Sequence, residues 1–291
     1  MNERRTAKKL VAYAGIRELT AKCGLISAFN SARVCAYEGV ELLYIACECE
    51  GLIDKIEEIR VAISSSETSL RCISCYADVL NKSLPYEKNE DSIRAIKSCI
   101  DLAYAVGCPF VHHTLVTRLS GGRDDYLEAF KVVLPIAEEI AEYAKGLGVT
   151  VLYEPQGMLF NGLDGYSKFF DSMLSRHENV GVCLDVGNTL WVNEDCYALA
   201  EKYGAYIKHV HLKDYVLDSE DTAYRTLGKR TIKEVKLGEG IIDLKRVFDI
   251  LKSAGYDGYL SIEDNSCSDF TSTARNAHEI VSKLTNQQAN F

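Results

Sequence analysis

The chain has 291 residues, 47% of them hydrophobic, with a formal net charge of −9 and a pI of about 5.3. Its short basic runs, at 4–5, 8–9 and 229–230, make no stripe of the kind a duplex binder shows, which argues against a nucleic-acid partner. Eleven cysteines without an apolar leader point to a reducing, cytoplasmic setting rather than a disulfide scaffold. No apolar run approaches the ~18–20 residues that a membrane span needs.

Taken in order, the chain alternates short apolar runs with amphipathic stretches. Strands are expected at 9–15, 41–47, 71–76, 110–116, 150–153, 181–186, 206–212 and 259–262. Helices are expected at 21–38, 52–66, 89–106, 126–147, 166–174, 195–203, 244–253 and 270–284, with Asp243 as an N-cap. Gly121 and Gly122 mark a loop, and 219–235 reads as one long polar loop. Eight strands alternating with eight helices, and no G-x-G-x-x-G turn, predict a (β/α)8 TIM barrel spanning 1–291 as a single domain. Cys72 and Cys75 have the spacing of half a zinc site. They lie on a strand, where positions three apart face opposite ways, so both read as structural.

In such barrels the C-terminal strand ends build the site. Those ends here carry His112 or His113, then Glu154, Asp185, His211 and Glu263. TVLYE, GVCLD and YLSIE each place a carboxylate directly after an apolar run. Two glutamates, an aspartate and one imidazole form an oxygen-rich set that suits Mn2+ or Mg2+, with Co2+, Fe2+ and Zn2+ also compatible. His209, His211 and Lys213 share one strand face, and three such groups need anionic company when buried. His112 and His113 are adjacent, so only one points inward; His113 is the nearer to the strand's end. Lys213 either binds a substrate oxygen or holds Asp185. Trp191, the one tryptophan, either stacks on a substrate ring or anchors its loop. Cys183 faces with Asp185 and reads as a small filler.

The phrases YEPQG (153–157), VCLDVGN (182–188), KHVHLKD (208–214), LGEG (237–240) and AGYDGYLSIE (254–263) resemble the xylose-isomerase-like superfamily of sugar phosphate isomerases and epimerases. Its branches include ketose 3-epimerases, hydroxypyruvate isomerase, inosose dehydratase and the C-glycoside deglycosidase large subunit. The resemblance implies one divalent metal on Glu154, Asp185, His211 and Glu263. It also implies proton abstraction next to a carbonyl of a sugar or keto sugar, through a metal-stabilised enediolate, with Glu154 and Glu263 as the acid–base pair. His113 is the further acid or base, and His112, Asn188, Trp191 and Lys213 are substrate-binding candidates. Many isomerases and epimerases of the group carry a histidine where Asn188 stands, and the epimerases an arginine shortly after the strand-seven histidine. The H-x-K-D sequence at 211–214 is similar to the lyase branch instead. The expected activity is therefore an isomerase or epimerase, with a lyase as the alternative. An endonuclease-like barrel would need more than six histidines and a basic groove; a non-catalytic sugar-binding subunit would bind without turnover. Relatives of this kind imply a homo-oligomer, or a small partner subunit.

Overall fold

A strand rich in valine, isoleucine and leucine on both faces needs cover on both sides. The chain provides it by closing a parallel sheet on itself and wrapping helices outside. The computed structural model describes residues 9–81, 83–119, 122–266 and 269–286. The basic residues at 4, 5 and 8, and Gly121, lie outside the described residues.

Ten strands follow one another: β1 (Lys9–Ala12), β2 (Gly39–Ile45), β3 (Ser69–Tyr76), β4 (Phe110–His113), β5 (Thr150–Tyr153), β6 (Val180–Asp185), β7 (Ile207–Leu212), β8 (Asp214–Leu217), β9 (Ile232–Val235) and β10 (Tyr259–Ile262). The helices are α1 (Ile16–Cys23), α2 (Leu25–Val34), α3 (Ile56–Ser66), α4 (Glu90–Val106), α5 (Tyr126–Gly146), α6 (Gly162–Leu174), α7 (Tyr197–Tyr203), α8 (Leu244–Ser253) and α9 (Phe270–Asn286). All strands but β8 and β9 form a closed barrel, with β1 paired in parallel to both β2 and β10. This is the (β/α)8 architecture that the alternation predicts.

Local chemistry sets the element ends. Asp243 caps α8 by accepting from the Arg246 N–H at 2.9 Å, a contact worth about 1 kcal/mol. Leu244, Val247, Phe248 and Leu251 then bury one stripe of that helix. Two elements differ from expectation. The helix expected at 21–38 is two helices, broken at Gly24, whose φ of +84° favours glycine. The loop expected at 219–235 is flanked by an antiparallel hairpin, in which Asp214 pairs with Val235 and Leu217 with Ile232. Its strands are short and 14 polar-rich residues apart, too little for a period-two signal. The LGEG turn that follows is tied to the hairpin by one carboxylate. Asp214 accepts from the backbone N–H of Tyr215, Gly238, Gly240 and Ile242 at 2.9–3.2 Å. A side chain at Gly240 would place its Cβ 2.1 Å from Asp214 Oδ1, so the close approach requires glycine.

The barrel interior is layered. Cys72, Leu152 and Cys183 make the apolar floor. Next to it Glu41 joins Ser74, His209 and Ser261, and Glu154, Asp185, His211, Lys213 and Glu263 gather at the strand ends. Period-two alternation along each strand raises the residues from floor to mouth.

Candidate metal centre and catalytic site

The mouth layer is crowded and almost dry. Asp185 and His211 are fully buried, Glu154 and Lys213 nearly so. His211 Nδ1 lies 3.1 Å from Glu263 Oε2, 3.5 Å from Glu154 Oε2 and 4.0 Å from Asp185 Oδ2. The atoms His211 Nδ1, Asp185 Oδ2 and Glu263 Oε2 are buried and make no well-directed hydrogen bond, with the Lys213 ammonium beside Asp185 Oδ2. Asp185, His211 and Glu263 each point a ligand atom within 4.8 Å of the others. Buried polar atoms without partners are costly. Three that converge, with the Glu154 carboxylate beside them, fit a divalent cation held by three carboxylates and one imidazole.

The layer beneath orients the imidazole. Glu41 is completely buried and accepts four contacts: Ser74 Oγ and Ser261 Oγ at 2.5 Å, His209 Nε2 at 2.7 Å and His211 Nε2 at 3.1 Å. A carboxylate only accepts, so His211 donates from Nε2 and turns Nδ1 towards the carboxylates of Glu154, Asp185 and Glu263. Burial pushes the Glu41 carboxyl up, but His211 and His209 outweigh it and hold it well below the usual range. Tyr13 stacks on the other face of His211, with ring centres 5.0 Å apart. Glu41 and Tyr13 are the members of this cluster that sequence reasoning misses. The one available signal is a lone carboxylate in GVELLYI, at odds with its apolar neighbours.

The other expected residues are placed as follows. His112 points inward: Nδ1 is 3.0 Å from Ser74 Oγ and Nε2 is 2.9 Å from Glu154 Oε2. His113 takes the opposite face. Its ring packs edge-on against Tyr153, whose hydroxyl reaches Ala137 in the helix layer, and burial pushes its pKa down to about 4. The structure therefore brings His112 to the cluster and leaves His113 outside it. Nearness to the strand end favoured His113, but the register of β4 against β3 sets His112 beside the inward-facing Ser74. Asn188 donates from Nδ2 to Glu154 Oε1, and its N–H bonds Asp185 Oδ1 at 2.7 Å. Lys213 Nζ lies between Asp185 Oδ2 at 2.9 Å and Glu263 Oε1 at 3.0 Å. Burial disfavours its charge, but Asp185 and Glu263 more than compensate and hold the ammonium charged. Burial pushes the Asp185 carboxyl up to about 7 against the pull of Lys213. Trp191 packs with Met158, Val192, Tyr215 and Ile232 in a satellite cluster under the hairpin.

Residues 29–284 match the family described as xylose isomerase-like TIM barrel. The chain belongs to that family. Among its relatives, inosose dehydratase of Clostridium perfringens (strain ATCC 13124) is 27% identical over 142 residues, 47% of this chain and 47% of that protein. The chain thus matches about half the length of such curated relatives. The structure of D-allulose 3-epimerase from Methylomonas sp. superposes with a TM-score of 0.72 at 14% identity, over 96% of this chain and 99% of that one. A xylose isomerase-like TIM barrel protein from Mycobacterium smegmatis, in complex with magnesium, gives 0.70 at 17% identity, over 98% and 99%. At these identities the superpositions establish the barrel itself. No helix among the described residues is long and apolar enough to cross a membrane.

Proposed function

We propose that this xylose isomerase-like barrel is a divalent-metal-dependent lyase that removes water from a polyhydroxylated ketone of sugar size. The observation that carries this reading is the inequality of the two acid–base positions. Glu154 is flanked by imidazoles, His112 at 2.9 Å and His211 at 3.5 Å, whereas Glu263 is 3.0 Å from the ammonium of Lys213. Burial pushes both carboxyls up, and His112 with His211 at Glu154, and Lys213 with His211 at Glu263, more than offset it; what sets the Glu263 side apart is an ammonium with a proton to donate. Elimination needs a base at carbon and an acid at the leaving oxygen; epimerisation at one carbon needs a base on one face and a proton donor to that same carbon on the other.

Glu154, Asp185, His211 and Glu263 would hold the cation, for which their oxygen-rich chemistry favours Mn2+ or Mg2+. Bound there, it would supply Lewis-acid polarisation of the substrate carbonyl. Glu154, steadied by Asn188 and His112, takes the proton next to the carbonyl. The released electron pair becomes a carbon–carbon double bond as the neighbouring C–O bond breaks. Lys213 protonates the departing hydroxide, and water leaves. The similarity to proteins named inosose dehydratase supports this ordering.

A second reading, isomerase or epimerase, is favoured by Glu154 and Glu263 both facing His211 Nδ1. Incubation with ketoses, inososes and 3-keto glycosides in D2O with Mn2+ separates the two. Loss of water with a new enone absorbance is expected. Deuterium entry at an intact substrate carbon would move the assignment to epimerase or isomerase. Neither exchange nor elimination across the panel would leave a sugar-binding protein without turnover.

A further inference from the structure

Outside the barrel mouth, three cysteines meet. Cys49 follows the short turn Ala46–Glu48 after β2, Cys75 lies on β3 and Cys99 on α4. All three are buried, with exposures of 2%, 0% and 0%. Cys49 Sγ and Cys99 Sγ are 3.7 Å apart, and all three sulfurs lie within 4.8 Å of one another. Cys72 faces the barrel floor instead, so the Cys72–Cys75 spacing is not the unit. A buried cysteine is ordinarily a small apolar filler. Filling does not require three sulfurs from a loop, a strand and a helix to converge on one point.

The ligand class follows from geometry and charge. A centre about 2.3 Å from each of three sulfurs sets those sulfurs about 3.5–4 Å apart; the Cys49–Cys99 separation of 3.7 Å matches, and Cys75 Sγ lies within 4.8 Å of both. Zinc at a structural site takes four ligands, and no fourth histidine, cysteine or carboxylate among the described residues joins the group. A monovalent soft ion on three thiolates would bury two net negative charges, which is expensive without partners. A trivalent centre leaves none. We propose that Cys49, Cys75 and Cys99 form a trithiol site for a trivalent thiophilic metalloid of the arsenite class. Binding forms three As–S bonds and breaks three As–O bonds; the thiol protons leave in three waters, and nothing is oxidised or reduced. Hydrogen bonds link the three thiols to one another, pulling the Cys49 thiol down and pushing those of Cys75 and Cys99 up.

The test uses the full chain, loaded with Mn2+ and incubated with sodium arsenite, then desalted. Native mass spectrometry is expected to show one arsenic per chain with the loss of three hydrogens, and the melting temperature to rise. Arsenic-edge X-ray absorption is expected to show three sulfur neighbours and no oxygen. Cys99→Ala and Cys49→Ser are expected to lose the adduct, and Cys23→Ser, at an exposed cysteine, to keep it. Absence of an adduct in the native chain, its retention by both variants, or a shell of two sulfurs and one oxygen would overturn the proposal. The absorption spectrum of the native chain decides alone if the variants fail to fold.

Discussion

Glu41→Gln is the sharpest probe of how this site is built. Gln has the same size, so packing is kept, but one oxygen becomes an NH2 group. Glu41 now accepts from Ser74 and His211 on Oε1 and from Ser261 and His209 on Oε2. Whichever oxygen is replaced, two of the four donors face another donor. Removing one partner of a buried ion pair typically costs 3–5 kcal/mol. Two contacts survive here, so the expected loss of folding stability is about 3 kcal/mol, the lower end of that range. His211 also loses its anchor at Nε2. Loss of such an outer contact to a ligating histidine costs about 10–100-fold in metal affinity, or about 1.4–2.7 kcal/mol. Mn2+ titration followed by electron paramagnetic resonance reads the affinity, a denaturant melt reads the stability, and nitrogen NMR reads the His211 tautomer. An unchanged Mn2+ affinity with an unmoved His211 tautomer would refute the claim that Glu41 sets the imidazole.

Four further outcomes are expected. EDTA should abolish turnover and Mn2+ restore it, whereas full activity in metal-free protein would remove the cation from the chemistry. His112→Asn should lower kcat by about 10–100-fold, the scale of a lost contact that steadies a site carboxylate, while His113→Asn should lower the melting temperature and leave kcat nearly intact; the reverse pattern would show that the wrong imidazole has been placed in the site. Lys213→Met should block release of water but keep deuterium exchange next to the carbonyl, so loss of both would make Lys213 a structural tie only. Arg118 pairs with Asp125 at 2.9 Å and holds its carboxyl down to about 2. A depressed carboxyl stabilises the fold above its unfolded pKa and loses that contribution as pH falls from about 4 to about 2. The pair is partly exposed, so the effect discounts to about 1 kcal/mol. Asp125→Asn should therefore melt lower than the native chain at pH 7 and together with it at pH 2; an equal deficit at both would refute the linkage.

The barrel and the strand-end residues were legible for one physical reason. A charge that directly follows a buried run, as in TVLYE or YLSIE, marks the point where a strand leaves the core. The face chosen by β4 was not legible, because alternation fixes only that His112 and His113 differ, not which of them points inward. Glu41 was hidden more deeply. Its partners stand 33, 168, 170 and 220 residues away, so no window of sequence contains a reason for it. The break at Gly24 was a matter of one backbone angle inside an otherwise helical pattern. The hairpin was lost because its two strands are four residues each and far apart.

The Glu41 layer bears on how such a barrel can be altered. It is customary to regard the loops at the rim as exchangeable and the barrel beneath as a neutral support. Here one carboxylate on β2 joins side chains from β3, β7 and β10 below every candidate metal ligand. A rim transplanted from a related enzyme would arrive on a floor wired for this histidine and this tautomer. Redesign of specificity therefore has to include Glu41, Ser74, His209 and Ser261 along with the rim.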